Sequence, residues 1–479
     1  MQILLPAALG RIVAELRESG YRGVVVGGAV RDALLDLPVK DFDLEVYGIS
    51  YERLAAFLAS RGRVDLVGKS FGVVKFTAPA AQTEPSIEEA AWDFSIPRRD
   101  SKTGPAHRDF NTQFDASITP REAAARRDFT MNAMAYDPLT GEILDFFGGR
   151  QDLARRILRA TSEAFSEDPL RVLRGMQFAC RFDLTLDDAT AAMSRAVASE
   201  YETLAKERIA EEFMKWAVKS RRPGRIAEYL AACGWLRHFP EIEAMAGVPQ
   251  DPDWHPEGDV SVHTMYVLDA AARIAERDGL EGDDRAVLLF AALGHDFGKP
   301  ATTERRPREG RMRWTSWGHE PLGGPIARQF LTRIGIKSAI VDQVVPLIEN
   351  HLAHRSIGMD TTPRAVRRLA LRLAPASVEQ LIRLIEADAS GRPPKDASLP
   401  AEAEQILAAA RAESVAQKPQ PPLILGRHVL PYFDNRPGVH IGEVTNAAYE
   451  AQADGKFSTE EEALQWLESY MVRVPKSIE

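Results

Sequence analysis

Cysteine is almost missing: Cys180 and Cys233 are the only two in 479 residues, and each lies in an apolar, helix-like pattern. So few thiols exclude a disulfide framework and a cysteine metal knuckle, and both read as reduced, buried side chains. No run approaches about 18 consecutive apolar residues, which argues against a membrane-spanning helix. A basic segment followed by an apolar stretch and a small-residue cleavage site is also absent from the N-terminus, so the chain is expected in the cytoplasm, without a membrane partner. Positive charge is not in excess. A net charge of −9 argues against binding nucleic acid through a broadly basic surface. Repeats at solenoid periods are lacking. What is present, 45% apolar and 27% charged residues, is the balance of an ordinary soluble globular protein. Its length exceeds what one hydrophobic core organises, so about two to four domains are expected.

Residues 1–150 mix helix and strand signals: a helix near Ala7 to Glu18, the apolar run Gly23 to Val26, a short helix, and alternation from Phe42 to Val46. From Asp152 onward helical periodicity takes over, through Leu170 to Phe182, Ala189 to Ser199, Ala205 to Val218 and Arg225 to Ala232. The fold class is therefore α+β, a mixed sheet with helices followed by all-α regions. Domains are expected at 1–150, 151–245 (a helical neck and body), 255–416 and 420–479. The stretch Val248 to Gly258, with three prolines, reads as a linker or exposed loop. The tail has room for a strand or two and a helix. Between Lys206 and Arg225 seven basic residues face three acids. That is either a phosphate-binding face or, as charge alone favours, a solvated helix laced with Glu–Lys pairs.

The first chemical signal is GGAVRD, Gly27 to Asp32, directly after the apolar strand and followed by KDFDLEV, Lys40 to Val46. Glycines after a strand allow backbone amides to approach a phosphate, although by themselves they are more often a tight turn. The pair Asp41 and Asp43 is more telling. Residues two apart in a strand share a face, and two carboxylates side by side call for a cation such as Mg²⁺ with substrate phosphate oxygens. Asp93, in the short alternating run WDFSIPR, is the candidate third acid. RRDFTMNAMAYD, Arg126 to Asp137, gathers arginines, Asp128 and Asn132, suited to phosphate and ribose oxygens and equally to a structural salt-bridge knot. In SEDPLR, Ser166 to Arg171, Ser166 suits a helix cap and the acids suit the helix start. Asp168 and Arg171, three apart with Arg174 continuing the stripe, form either an intrahelical ion pair or an acceptor and a fork aimed at base edges.

GGAVRDALL, DFD, RRDFTMNA, DFFGGRQDL and SEDPLRVLRGMQFACRF, in this order, resemble the class II tRNA nucleotidyltransferases, the CCA-adding enzymes. ERIAEEFMKWA and RRDSKTGPAHRDF extend the likeness, while Ala78 to Ala91 departs from it as an insertion. The resemblance implies a polymerase β-like nucleotidyltransferase head with Mg²⁺ on Asp41 and Asp43. It implies Gly27, Gly28 and Arg31 near the triphosphate, and Arg127, Asp128 and Asn132 around the ribose. Asp168 and Arg171 would read CTP or ATP without a template, with tRNA as the other substrate. Bacterial poly(A) polymerases share this head and neck.

Most of the ten histidines fall between His255 and His354. His263, the doublet His295–Asp296, His319, His351 and Asp388 make a dispersed imidazole and carboxylate set suited to a divalent transition ion or Mg²⁺. The pattern resembles the HD phosphohydrolases. By that resemblance His263, His295, Asp296 and Asp388 hold the core metal (Ni²⁺, Mn²⁺, Co²⁺ or Mg²⁺), His319 and His351 match positions of a second, and Lys299 faces phosphate. Head and HD domain together, with a tail that matches through PLILGRHVL and TEEEALQWL, resemble the bacterial multifunctional CCA proteins. This implies CCA addition plus phosphatase, 2'-nucleotidase and 2',3'-cyclic phosphodiesterase activity in a monomer or homodimer. The competing readings are a poly(A) polymerase, a CC-adding or A-adding partial enzyme, and an HD hydrolase with an inactive head.

Overall fold

The computed structural model describes residues 3–39, 41–66, 72–79, 91–102, 110–115, 117–358, 361–395 and 397–473. Lys40, residues 80–90 of the insertion and residues 103–109 of the RRDSKTGPAHRDF match lie outside the described residues. The chain forms two compact units, Met1–Trp216 with Glu228–His238, and Ala217–Ala227 with Phe239–Glu479.

The first unit is built on a seven-stranded sheet in the order Arg63–Asp65, Val73–Thr77, Ala91–Ser95, Asp43–Tyr47, Arg22–Val26, Ala135–Asp137, Glu142–Leu144. Arg22–Val26 lies inside the sheet, between Asp43–Tyr47 and Ala135–Asp137, and its valine run is buried on both faces. In Asp43–Tyr47 the alternation turns Leu44 inward and leaves Asp43 exposed, as period-two geometry requires. Its pairing with Ala91–Ser95 is parallel and sets Asp43 directly opposite Asp93. Helices Leu170–Phe182, Asp188–Ala196, Lys206–Lys219 and Ile226–Ala232 follow, close to their periodic patterns. In the basic stretch, Lys215 pairs with Glu211 and Glu212 four and three residues back, the spacing of Glu–Lys pairs on a helix, with Glu212 buried rather than solvated.

Among its described residues the second unit is helical apart from one hairpin, Glu304–Arg308 with Arg311–Thr315. No described helix is long and apolar enough to cross a membrane. Two sequence expectations fail here. The tail holds no strand among its described residues. It has helices Gly426–Val429, Val439–Ala453 and Glu460–Met471, packed through Val429, Phe433, Val444, Ala448 and Leu467, because its apolar spacing is helical and Thr459 with Glu462 closes a capping box. The stretch Val248 to Gly258 is no free linker either. Asp251 is buried against Arg313 at 2.9 Å, and Glu257 is buried against two histidines, so paired carboxylates fold this proline-rich loop inward.

Candidate active sites

In the first unit the sheet assembles an acidic edge. Asp41 precedes the strand Asp43–Tyr47 and shares the exposed parity of Asp43, while Phe42 and Leu44 are buried. Burial first, then Asp93 and Asp41, push the Asp43 carboxyl up, opposed by Arg127. Glu45, two residues further on the same face, lies 3.8 Å from Arg127 and accepts a hydrogen bond from Tyr47 Oη at 2.7 Å. Its parity with Asp41 and Asp43 was visible in DLEV, but nothing local pointed to its arginine. The turn before the next helix is glycine for a reason. Gly27 has φ +71°, and a Cβ there would lie 3.1 Å from Arg127 Nη1.

Behind this edge four predicted residues form one network. Arg174 donates to Asp128 Oδ2 through Nε at 2.9 Å and Nη2 at 2.7 Å, and Asn132 Nδ2 donates to Asp128 Oδ1 at 3.0 Å. Arg31 Nη1 donates to Asn132 Oδ1 at 2.7 Å, with its guanidinium 4.6 Å from the centre of the Phe182 ring. Burial would raise the Asp128 carboxyl, but Arg174 and Asn132 outweigh it and hold it below the usual range. The Arg and Asp cluster is therefore a knot in which each side chain fixes the next.

Asp168 and Arg171 depart from the expected stripe. Asp168 is extended and precedes the helix, so the two do not share a helix face. Its Oδ1 accepts from Leu170 N at 3.1 Å, the capping role that Ser166 was expected to fill, and Oδ2 accepts from Arg208 Nη2 at 3.1 Å. Proline at 169 explains this, because it disfavours helical backbone in the residue before it. Arg171 donates to the carbonyls of Ala164 at 2.6 Å and Arg126 at 2.8 Å. Arg174 belongs to the Asp128 knot.

The second unit gathers the histidines from five helical segments. His263 comes from Val260–Arg277, His295 and Asp296 from the end of Gly282–Gly294, and His319 from the start of His319–Arg333. His351 follows Ser338–Glu349, and Asp388 comes from Val378–Ser390. Three rings are anchored through Nδ1 to main-chain carbonyls: His295 to Ala292 at 2.8 Å, His319 to Ser316 at 2.6 Å and His351 to Ile348 at 2.7 Å. Their Nε2 atoms consequently face inward. His295 and His263 Nε2 lie 3.4 Å apart, His319 and His351 Nε2 3.2 Å apart, and His263 Nε2 is 3.1 Å from Asp388 Oδ1.

Asp296 joins the two pairs. Its Oδ2 is 3.2 Å from His295 and its Oδ1 3.4 Å from His319. Both oxygens are buried and receive no hydrogen bond, although Lys299 Nζ lies 2.8 Å from Oδ2 as an ion pair. Burial would raise both acids. His295 and Lys299 beside Asp296, and His263 and Arg392 beside Asp388, hold them well below the usual carboxylate range. Burial pushes His351 down to about 3. A buried, ionised carboxylate set between two histidine pairs, with three of the rings anchored through Nδ1, fits a divalent cation, and His263, His295 and Asp296, and Asp296, His319 and His351, each bring ligand atoms within 4.8 Å of one another. Lys299 also donates to Gln250 Oε1 at 2.8 Å and lines the cavity with Asp296, His319, His351 and Asp388. Sequence reasoning missed Glu257, which holds both His255 and His263 through their Nδ1 at 2.8 Å. Its proline-rich setting hid it.

Residues 24–159 match the family model of the Poly A polymerase head domain, and residues 260–389 match that of the HD domain. The multifunctional CCA protein of Ralstonia nicotianae is 35% identical over 399 residues, 81% of this chain and 86% of that protein. That of Nitrosococcus oceani is 37% identical over 377 residues, 77% of this chain and 84% of that protein. The crystal structure of the Bacillus stearothermophilus CCA-adding enzyme in complex with CTP has the same fold, with a TM-score of 0.61 at 21% identity, covering 97% of this chain and 98% of that one. With this identity over most of both chains, the chain belongs to the family of the multifunctional CCA proteins.

Proposed function

We propose that this protein adds and repairs the 3'-terminal CCA of tRNA in the cytoplasm, from CTP and ATP and without a template. The observation that carries the reading is the acidic edge, Asp41 and Asp43 with Asp93 in register beside them. These three carboxylates would hold Mg²⁺. When bound, the ion neutralises triphosphate charge and favours the ionised 3'-hydroxyl. The tRNA 3'-oxygen attacks the α-phosphorus, and the bond to pyrophosphate breaks. The side-chain-free turn at Gly27 and Gly28 leaves room for the triphosphate beside Arg127. The Arg31–Asn132–Asp128–Arg174 knot presents a rigid polar wall to the ribose, so little reorganisation is needed. Asp168 and Arg171 select the base, with Arg171 exchanging main-chain carbonyls for base acceptors.

The HD domain adds a phosphohydrolase acting on 2',3'-cyclic and 2'-phosphates. His263, His295, Asp296 and Asp388 would hold one divalent ion, and His319 and His351 with Asp296 a second. Ni²⁺, Mn²⁺, Co²⁺ and Mg²⁺ suit this donor set, which supplies a nucleophilic water when loaded. Lys299 orients Asp296 and stands ready for the substrate phosphate.

The test is incubation of purified protein with tRNA lacking its last three nucleotides, with labelled CTP and ATP separately and together, in Mg²⁺. Two additions with CTP and a third only with ATP support the proposal. An ATP ladder assigns a poly(A) polymerase, two additions that stop assign a CC-adding enzyme, and none moves the function to the HD domain.

A further inference from the structure

The HD cavity has a wall that hydrolysis itself does not require. Trp254, Arg308, Trp314, Trp317 and Arg355 line it beside the candidate metal ligands. Part of this chemistry is consumed internally. Arg313 donates to Asp251 and Asp253, each at 2.9 Å, and Arg311 pairs with Asp253. Arg308 and Arg313 lie 4.9 and 5.0 Å from the Trp254 ring centre, so that indole is already covered. Trp317 is different. Arg306 stands 4.7 Å from its ring centre, yet the residue remains 62% exposed at the cavity. Arg308 and Arg355 are exposed and pair with no carboxylate among the described residues.

An exposed indole lining the same cavity as two guanidiniums that no described carboxylate pairs, with Arg308 resting on Trp254, suits a ligand that is anionic at one end and flat at the other. A nucleoside phosphate meets both demands, because every base has a face that stacks and its phosphate is the group Arg holds best. An acidic peptide or a simple phosphate would leave the indole unused. We infer that Trp317 is the stacking platform for the base of a nucleoside phosphate in the HD cavity, with Arg308 and Arg355 flanking the phosphate. The inference rests on the phosphohydrolase reading and adds the residues that make it selective for nucleotides.

Calorimetry on the full-length protein in EDTA tests it without turnover, using adenosine 2'-phosphate against base-free ribose 5-phosphate. Wild type is expected to bind the nucleotide about five-fold more tightly, the low end of what one stacked base contributes. Trp317→Ala removes that preference, and Trp317→Phe keeps most of it. A preference unchanged in Trp317→Ala, or an equal loss for both ligands, overturns the inference. A trinucleotide ending in the same phosphate separates the sources. Tighter binding than the mononucleotide assigns RNA ends and equal binding assigns free nucleotides, and either supports stacking if it depends on Trp317. Hydrolysis of neither phosphate by the Mn²⁺-loaded wild type would sink the phosphohydrolase reading while leaving the binding result to decide Trp317.

Discussion

Gly298, two residues after Asp296, lets the HD site be perturbed without touching a ligand. Its backbone is ordinary, φ −80°, so alanine there carries no conformational penalty and by chain entropy alone would stabilise by about 0.4–1 kcal/mol. Space decides otherwise. A Cβ would lie 2.1 Å from the His319 carbonyl oxygen, 2.8 Å from its carbon and 2.9 Å from its Cα. Carbon and oxygen in contact need roughly 3.3 Å, so one segment must retreat by about 1 Å. The obstacle is main chain, and main chain cannot rotate away. His319 would carry its Nε2 away from Asp296 and His351, 3.4 and 3.2 Å distant in the native protein. Overpacking of this kind costs about 1–3 kcal/mol, and a displacement of about 1 Å at a catalytic group lowers the rate about a hundred-fold. Gly298→Ala should therefore hydrolyse adenosine 2',3'-cyclic phosphate about a hundred-fold more slowly, while CCA addition by the same preparation stays within about twofold, since the head lies in the other unit. Full hydrolytic activity in the variant would refute the reasoning.

Other substitutions separate the roles further. His295→Ala should abolish phosphodiesterase activity and leave CCA addition near normal; loss of both would mark a folding defect. Arg171→Ala should slow addition and relax discrimination against UTP and GTP in misincorporation assays, and uniform slowing with selectivity intact would make Arg171 structural. Glu257→Ala removes the carboxylate from His263 Nδ1, leaving only the Gly391 carbonyl at 3.2 Å, and should weaken divalent-ion binding by about 10–100-fold, the usual cost of losing an outer carboxylate; unchanged affinity in a metal titration rejects that role. Metal-free protein should lose stability as pH falls from about 6.5 towards 4. Burial depresses His255 to about 4 and His351 to about 3, so both stay neutral when folded while the unfolded chain takes up their protons. Each contributes about 1.4 kcal/mol per pH unit in that window. His263, raised because Asp388 and Glu257 outweigh its burial, is protonated in both states below about 6.5 and adds no slope in that window. Denaturation midpoints in EDTA that stay flat between pH 7 and 4.5 would contradict this.

Much of this architecture was legible because its causes are local. The valine run at Arg22–Val26 and the parity of Asp41, Phe42, Asp43 and Leu44 follow from the two-residue period of a strand, and the helices from Leu170 to Ala232 from a period of 3.6. The candidate HD ligands could be picked out one by one, since a histidine next to an aspartate after an apolar helix is unusual chemistry for a core. The prediction went wrong where a neighbour far along the chain made the decision. Asp168 turned to Arg208, 40 residues on, and Val248 to Gly258 folded inward where Arg313, 62 residues on, pairs with Asp251.

The sequence by itself determined which residues could ligate, bind or turn, because side-chain chemistry and strand parity are carried by each short segment. Only the tertiary structure decided which of them meet. The parallel pairing that sets Asp93 beside Asp43, the knot from Arg31 to Arg174 and the shared position of Asp296 between two histidine pairs all join segments distant in the chain. Such contacts depend on which strands and helices pack together, a choice made by burying the whole core at once rather than by any local pattern.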